Sequence, residues 1–258
     1  MKITSLVENM SYVPDIGAEH GLSLYIETEN CKILFDMGQT ELFADNAVKL
    51  GVDLTAVDLA VLSHGHYDHG GGLKKFLKIN SKAPVYLHKH AFEPHCNGTE
   101  KYIGLDVSLK NNSRLDFTEG ITKIGNGLTL FDCNTSIPSY NLGSFGLTVQ
   151  ESGAFLPDDF RHEHYLLIEE NQKRVLISGC SHKGILNIAE WLEADVIIGG
   201  FHFSKLSLDE TLAEYAEELN KHKATFYTCH CTGVEQYEFM KTHMERLCYL
   251  SAGQTIEI

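Results

Sequence analysis

Four side chains of types that bind metal ions lie within six residues, in the segment His64-Gly65-His66-Tyr67-Asp68-His69. Two imidazoles spaced two residues apart on an extended turn can point the same way and chelate one divalent ion. An aspartate and a histidine just downstream can then reach a second ion close by. The glycines at 65 and 70–72 remove side chains, which lets the backbone and the ions approach closely. We therefore predict a two-metal site whose ligands include His64, His66, Asp68 and His69.

The predicted secondary structure places this segment between a buried strand and a helix that begins at about Leu73. Short apolar runs predict several strands that are buried on both faces. The predicted strands are Leu22–Ile26, Lys32–Phe35, Asp58–Leu62, Pro84–Leu87, Tyr165–Glu169, Arg174–Ser178, Asp195–Ile198 and Thr225–Cys229. Apolar residues at helical spacing predict helices around 43–50, 73–77, 185–192 and 208–219, the last after a capping-box pattern at Ser207-Leu208-Asp209-Glu210.

The order of these elements indicates two similar halves around an irregular middle. Hairpins and a strand–helix–strand block come first, and a second hairpin with a strand–helix–strand–helix block follows the stretch 93–160. This order predicts two sheets packed together with helices outside, in a single α/β domain over residues 1–258. The middle stretch is rich in turn formers such as Asn111-Asn112-Ser113. We interpret most of it as a lid or substrate loop near the site, with an insertion of surface loops as the alternative.

Composition and charge favour a soluble, cytoplasmic protein that acts on a small molecule. Thirty-five acidic against 21 basic residues give a formal charge of −14, and this field disfavours a nucleic-acid partner. No apolar signal core follows Lys2, and no run approaches the ~20 apolar residues that span a membrane. The seven cysteines include no C-x-x-C pair, and we expect most of them to be buried thiols in a reducing compartment. The oligomeric state stays open, with a homodimer as one option.

The segment 64–69 resembles the H-x-H-x-D-H motif of the metallo-β-lactamase-fold hydrolase superfamily. Phe35-Asp36-Met37-Gly38 is similar to the stretch in which that superfamily carries a supporting aspartate. The resemblance covers nearly the whole chain. It implies a four-layer αββα sandwich, with two sheets between helix layers and the metals at one edge. It also implies two divalent metal ions as cofactors, with zinc favoured and iron or manganese as alternatives.

Three further segments resemble the dihydropterin-ribofuranosylaminobenzene-phosphate synthase-like branch of this superfamily. They are Gly179-Cys180-Ser181-His182-Lys183-Gly184-Ile185, Gly199-Gly200-Phe201-His202 and His230-Cys231-Thr232-Gly233. The archaeal branch members suggest a phosphorylated, pterin-containing product that is made by condensation. We do not expect that substrate here, since condensation is not hydrolysis.

The resemblance also suggests ligands in the second half of the chain. Superfamily members usually place a bridging aspartate after a strand that ends in glycine, and Cys180 follows such a strand here. A thiolate can bind zinc, and His182 competes with Cys180 for this role. His230 follows its own predicted strand and matches the last histidine ligand of the superfamily.

The usual third ligand of the first metal lies in a glycine-histidine-threonine turn, which this chain lacks. We assign the role of this third ligand to Asp159, with His162 and His164 as alternatives. An aspartate ligand would favour iron or manganese. The alternative is that Asp158-Asp159 forms a solvated acidic turn.

Other histidines receive smaller roles. His202 follows a predicted strand at the same edge, and we expect it to contact the substrate or donate a proton. His88 and His90 are expected to support the site or to lie on the surface. Histidines expected only on the surface are His95, His222 and His243.

These residues predict a metallohydrolase. Two metals lower the pKa of a bridging water to give a hydroxide nucleophile, and they polarise the oxygen of the bond that is attacked. Asp68 would orient this nucleophile, and the expected reaction is hydrolysis of an ester, phosphoester or similar bond in a small anionic metabolite. One alternative is a diiron redox protein of the same fold, although such proteins typically carry glutamate where this chain has His66. The others are an RNA-processing nuclease, which the charge disfavours, and a non-catalytic metal-binding or sensor protein.

Overall fold

The computed structural model describes residues 1–258, which form two compact units. The first unit contains Met1–Glu119, Ser144–His164 and Ser251–Ile258. The second unit contains Gly120–Gly143 and Tyr165–Leu250. Each unit has one seven-stranded sheet, three α-helices and an apolar core of its own. The mixed α/β architecture with two large sheets confirms the fold class predicted from the sequence.

The elements are numbered here in chain order. The strands are β1 (Lys2–Val7), β2 (Ser23–Glu27), β3 (Lys32–Phe35), β4 (Leu59–Leu62), β5 (Val85–His88), β6 (His95–Asn97), β7 (Lys101–Tyr102), β8 (Leu115–Thr118), β9 (Ile121–Gly125), β10 (Leu128–Phe131), β11 (Leu147–Glu151), β12 (Ala154–Pro157), β13 (Tyr165–Glu170), β14 (Lys173–Ile177), β15 (Val196–Gly199), β16 (Thr225–Thr228), β17 (Leu247–Tyr249) and β18 (Thr255–Glu257). The helices are α1 (Leu42–Lys49), α2 (Tyr67–Gly70), α3 (Leu73–Ile79), α4 (Ile185–Leu192), α5 (Glu210–Asn220) and α6 (Val234–Lys241).

The large sheet of the first unit has the order β18-β1-β2-β3-β4-β5-β8, and its β3, β4, β5 and β8 are parallel. Strands β3 and β4 are short apolar runs, as expected for strands that are covered on both faces. The apolar stripes of α1 and α3 pack on this sheet, and the shared core includes Leu34, Phe43, Ala47, Ala60, Leu62, Phe76, Val85 and Leu87. Burying one such large apolar side chain contributes ~1.5–3 kcal/mol. This packing holds the carboxyl end of β4, where the H-x-H-x-D-H segment begins.

The stretch 93–160 is less irregular than expected, because it contains seven short strands that the sequence did not predict. Strands β6, β7, β11 and β12 form a four-stranded sheet in the first unit, in the order β12-β11-β6-β7. Strand β8 extends the large sheet of the first unit, whereas β9 and β10 belong to the second unit. These strands have two to five residues, which is too short for an alternating pattern to show in the sequence. The turn formers between them were the only visible signal.

The sheet of the second unit has the order β17-β16-β15-β14-β13-β10-β9, and β14, β15, β16 and β17 are parallel. Helices α4, α5 and α6 bury one face each in the core of this unit. The core includes Tyr165, Leu176, Ile185, Ile188, Ile197, Leu212, Ala216, Phe226 and Met240. Parallel strands end at one edge of a sheet, so β14, β15 and β16 deliver their following residues to the same place.

Helix α5 begins two residues later than the capping-box pattern predicts. Its N-cap is Asp209, whose side chain accepts a hydrogen bond from the backbone N–H of Thr211. Ser207 therefore does not cap this helix. With 11 residues α5 is the longest helix, and none of the helices has the length and apolar character required to cross a membrane.

Candidate metal centre

The four predicted ligands at the end of β4 lie together in the first unit. His64, His66 and His69 are buried, and Asp68 is 8% exposed. The ring centroid of His64 is 4.5 Å from that of His66 and 4.2 Å from that of His69. His66 occupies the N-cap position of α2, so the chain turns from strand into helix within the motif.

Asp36 connects two of these histidines through a buried chain of hydrogen bonds. Its Oδ1 accepts from the backbone N–H of Ser63 at 2.7 Å, and its Oδ2 accepts from the Ser63 hydroxyl at 2.7 Å. Nδ1 of His69 lies 2.7 Å from the same Oδ2, and Nδ1 of His64 lies 2.8 Å from Ser63 Oγ. The carboxylate can only accept, so the hydroxyl proton of Ser63 points to Asp36 and its oxygen accepts from His64.

This chain of hydrogen bonds fixes the tautomer of both rings. His64 and His69 each carry their proton on Nδ1, which leaves a lone pair on Nε2. Histidines that bind metals usually donate their other ring N–H to a carboxylate or a similar acceptor. The position of Asp36 in the sequence had suggested a supporting aspartate, and its contacts are those of one.

Asp68 lies at the edge of this group. Its Oδ2 is 3.1 Å from Nε2 of His20 and 3.8 Å from Nε2 of His69. The His20 side chain is 56% exposed, whereas that of Asp68 is 11% exposed. No sequence pattern singles out His20, which comes from the loop before β2.

His66 takes part in a second buried group of the first unit, together with His95, Asp158 and His162. Each member offers a ligand atom, and these atoms lie within 4.8 Å of one another. Burial, followed by the nearby charge of His162, lowers the pKa of His66 well below its ordinary value. The ring is therefore neutral at pH 7, which is the form that binds a metal.

Asp158 holds two imidazoles of this group. Its Oδ2 lies 2.8 Å from Nδ1 of His95 and 3.5 Å from Nε2 of His162, and the two rings stack with centroids 3.7 Å apart. Burial alone would raise the pKa of Asp158, but hydrogen bonds from His162 and His95 hold it far below its ordinary value. The ionised carboxylate thus orients His95 with its proton on Nδ1.

His162 has the opposite tautomer. The backbone N–H of Gly65 donates to its Nδ1 at 2.9 Å, so the neutral ring carries its proton on Nε2, which faces Asp158. A ring in this state is a donor rather than a ligand. Only glycine fits at position 65, because an added Cβ would lie 2.2 Å from the carbonyl oxygen of Ala91. Glycine therefore lets the backbone N–H at this position reach His162.

Several histidine and aspartate assignments from the sequence need correction. The side chain of Asp159 is 61% exposed, lies 3.9 Å from Arg161 and accepts from its backbone N–H, so Asp158 and not Asp159 joins the buried group. His95 is buried rather than on the surface. His164 is buried too, but its Nε2 donates to the carbonyl oxygen of Leu62 at 2.9 Å, which leaves it a structural role.

In the second unit, Cys180, His202 and Cys231 offer ligand atoms within 4.8 Å of one another. Cys180 and Cys231 are buried, and His202 is partly buried. His182 is also buried, with its ring centroid 4.4 Å from that of His202. His230 is buried at the end of β16. The sequence had pointed to four of these five residues and passed over Cys231.

The surroundings of Cys231 shift the pKa of its thiol. Burial alone would raise its pKa, but hydrogen bonds with Cys180 and His202 and the charge of His230 hold its pKa well below the ordinary value. Its Sγ also lies 3.5 Å from the carbonyl oxygen of Cys180. A thiolate is the form in which cysteine binds metals.

Comparisons with known proteins identify the family of this chain. The sequence profile of the metallo-beta-lactamase superfamily matches residues 16–218. The chain belongs to the metallo-β-lactamase superfamily. Members of this superfamily are typically metal-dependent hydrolases, and the buried histidine and aspartate groups could hold metal ions.

Three relatives of this superfamily cover nearly the whole chain. An uncharacterised protein of Methanocaldococcus jannaschii, MJ0448, is 32% identical over 99% of this chain and 100% of its own length. The 7,8-dihydropterin-6-methyl-4-(beta-D-ribofuranosyl)-aminobenzene-5'-phosphate synthase of the same organism is 29% identical over 100% of this chain and 96% of its own. The crystal structure of Tm1679, described as a metal-dependent hydrolase of the beta-lactamase superfamily, has 31% identity and a TM-score of 0.84 over 100% of this chain and 99% of its own. The superfamily and the synthase-like branch predicted from the sequence are confirmed.

The metals of the metallo-β-lactamase superfamily fit the side chains of this chain. Nε2 of His64 and His69 have lone pairs that the Asp36 network has oriented, and neutral imidazoles and carboxylates are suitable ligands for divalent ions. The residues that sequence reasoning missed are His20, His95, Asp158 and Cys231. Only Cys231 carried a signal, because it lies next to His230 in a segment already singled out.

Proposed function

We propose that this protein is a metal-dependent hydrolase with a dinuclear site, which cleaves an ester, phosphoester or similar bond in a small anionic substrate. The observation that carries the proposal is the hydrogen-bond network of Asp36, which holds the protons of His64 and His69 on Nδ1 and so places the lone pair of each ring on Nε2. A divalent ion held there would lower the pKa of a bound water and polarise the oxygen of the bond that is cleaved. We propose His64, His66, Asp68 and His69 of the first unit as ligands of this site. We also propose that Cys180 and His230 of the second unit bind metal.

Asp68 is the residue we propose to handle the proton of the attacking water. Its Oδ2 accepts a hydrogen bond from Nε2 of His20, 3.1 Å away, which keeps the carboxylate in one orientation. The 11% exposure of the Asp68 side chain leaves it within reach of solvent, unlike Asp36. A carboxylate held in this way can accept a proton from water at Oδ2 and release it to solvent.

The names of two relatives support the substrate class. The 29% identical relative is named for a product that carries a phosphate, and the 31% identical structure is described as a metal-dependent hydrolase. The formal charge of −14 disfavours a long polyanion such as RNA. A small anionic substrate agrees both with the names of these relatives and with the negative charge of the chain, because metal ions rather than the protein surface would attract it.

The test compares wild-type protein with the double variant H66A/D68A and with D159A as a control that removes an exposed carboxylate. We expect D159A to match wild type in bound zinc, iron and manganese and in turnover of a panel of phosphomonoesters, phosphodiesters and lactones. The double variant should lose both metal and turnover. Turnover that survives in the metal-free double variant would contradict the mechanism. Bound metal in wild type with no turnover of any panel member would favour a metal sensor instead.

A further inference from the structure

Three sequence segments that mark the synthase-like branch deliver one side chain each to a single group in the second unit. Cys180 follows β14, His202 follows β15, and Cys231 lies just beyond β16. Their ligand atoms are within 4.8 Å of one another. The proposed hydrolase function assigns a role to Cys180 alone in this group. It does not explain why the Cys231 thiol and the His202 imidazole lie beside Cys180.

The backbone around the group is shaped to bring these side chains together. An added Cβ at Gly200 would lie 2.4 Å from Sγ of Cys231, so only glycine leaves room for the thiol. His202, with φ of 58°, adopts the left-handed conformation that is sterically unfavourable for a non-glycine residue. Backbone strain of this kind persists where the surrounding structure holds it, often at functional sites.

The group matches the chemistry of a soft metal site. Two thiols and one imidazole are three ligands of a tetrahedral zinc site, in which ligand atoms lie roughly 3.5–3.8 Å apart. Separations of at most 4.8 Å require only small side-chain rotations to reach that geometry. Thiolates select zinc or iron(II) over manganese or magnesium, which prefer oxygen ligands.

We propose that Cys180, Cys231 and His202 together bind one zinc-class divalent ion, with Cys231 as the second thiolate ligand. His202 is then a ligand and not the proton donor expected from the sequence. The proposal rests on the proposed function in one respect, namely that the protein binds metal ions. It deepens that function by naming the class of metal, which the histidines and carboxylates of the first unit leave open.

Cobalt(II) provides a direct readout of thiolate ligands, because only sulfur ligation gives an intense charge-transfer absorption in the near ultraviolet. The full-length protein is titrated with cobalt(II), and the same titration is done with C231S and C180S. The matched control is C248S, which removes a half-buried thiol from β17 of the same sheet. We expect the band in wild type and C248S, with about half of the intensity lost in each of C231S and C180S.

Zinc affinity and X-ray absorption complete the test. Removing an outer partner of a ligand weakens metal binding by ~10–100-fold, so removing Cys231 itself should weaken zinc binding by at least ~100-fold in a chelator competition. If C231S does not fold, the zinc-loaded wild-type protein should still show two sulfur scatterers at ~2.3 Å. A C231S spectrum equal to that of wild type, or zinc surrounded by nitrogen and oxygen alone, would overturn the proposal. Turnover of the substrate panel by C231S is measured separately, so failure of the thiolate site and failure of the hydrolase function give different results.

Discussion

At the scale of single residues, Asp36 has the widest effect on the candidate site. It is fully buried, and its two oxygens receive the backbone and hydroxyl protons of Ser63 and the Nδ1 proton of His69. Through Ser63 it also sets the proton of His64. One carboxylate therefore decides which nitrogen of two imidazoles is open to a metal.

Replacing Asp36 by Asn should weaken metal binding while leaving the proposed ligands in place. The amide NH2 would meet a hydroxyl or imidazole proton in place of an acceptor, so at least one ring would turn or change tautomer. Losing such a supporting partner typically lowers metal affinity ~10–100-fold. Zinc affinity by chelator competition is the measurement, with D159N as the control that should bind like wild type. Equal affinities for D36N and wild type would contradict this role of Asp36.

The tautomers themselves can be observed. In the metal-free protein at pH 8, nitrogen-15 NMR should show the proton of His64 and His69 on Nδ1 and that of His162 on Nε2, because Gly65 donates to Nδ1 of His162. The S63A variant should release His64 from this preference and leave His162 unchanged. Identical tautomers for all three rings would show that these hydrogen bonds do not control the site.

At the scale of elements, the turn from β4 into α2 and α3 depends on close backbone packing. An added Cβ would lie 2.0 Å from the carbonyl oxygen of Gln39 at Gly71 and 2.2 Å from that of Met37 at Gly72. Gly71 has helical dihedral angles that any residue can adopt. Glycine is required at this position because there is no room for a side chain, and not because of the backbone conformation. Because these glycines have no side chains, the backbone after the metal motif packs directly against the loop that follows β3.

The G71A variant tests whether steric crowding at this position outweighs the higher helix propensity of alanine. At an open helical position, alanine in place of glycine would add ~0.5–1 kcal/mol of stability. Here we expect a loss of ~1–3 kcal/mol, because a carbon atom must be forced into a filled space. The free energy of unfolding in urea is the measurement. The control is G51A, where nothing lies within 4 Å and only the left-handed φ of 70° opposes alanine. A stabilised G71A protein would refute the packing argument.

The start of α5 provides a second test at this scale. D209A should lower the free energy of unfolding by ~1 kcal/mol, because Asp209 satisfies the backbone N–H of Thr211. S207A should change it little, since Ser207 lies outside the cap. Urea unfolding of both variants checks the assignment, and an equal loss in both would restore the capping box that the sequence suggested.

At the scale of the whole molecule, metal binding should be linked to folding. Ligands assembled by the folded first unit are scattered in the unfolded chain, so an ion that binds only the folded protein adds ~2.7 kcal/mol at a concentration 100 times its dissociation constant. Zinc should therefore raise the midpoint of thermal unfolding of wild type, and a chelator should reverse the rise. The H66A/D68A variant should respond far less. An equal rise in both proteins would mean that the stabilising ion binds elsewhere.

Much of the fold was predictable because its central strands are apolar runs of four or more residues. Strand β3 was predicted with its observed bounds, and β4 and β16 to within one residue. The two- to four-residue strands β6, β7 and β12 were missed, since so few residues show no period. The grouping of candidate ligands that are neighbours in sequence, such as His64 and His66, could likewise be predicted.

Candidate ligands that come together only through tertiary structure could not be recognised from the sequence. Asp158 and Asp159 are adjacent and chemically identical, and only the course of the chain after β12 decides that Asp158 is buried against His95 and Asp159 faces solvent. His95 is 29 residues from the H-x-H-x-D-H segment when counted from His66, so no local pattern connects them. Burial is a property of the whole fold, and single residues do not display it in the sequence.

The left-handed conformations at the ends of the parallel strands in the second unit bear on how this protein can be engineered. Ser181, His202 and His230 have φ of 58°, 58° and 50°. Glycine would relieve roughly 1–2 kcal/mol of conformational energy at each position. A laboratory selection for heat resistance alone would therefore favour glycine there, and at 202 and 230 it would remove an imidazole each time. Thermostable descendants obtained in this way would be expected to have lost proposed metal ligands, so any such programme should select for metal binding and stability in the same round.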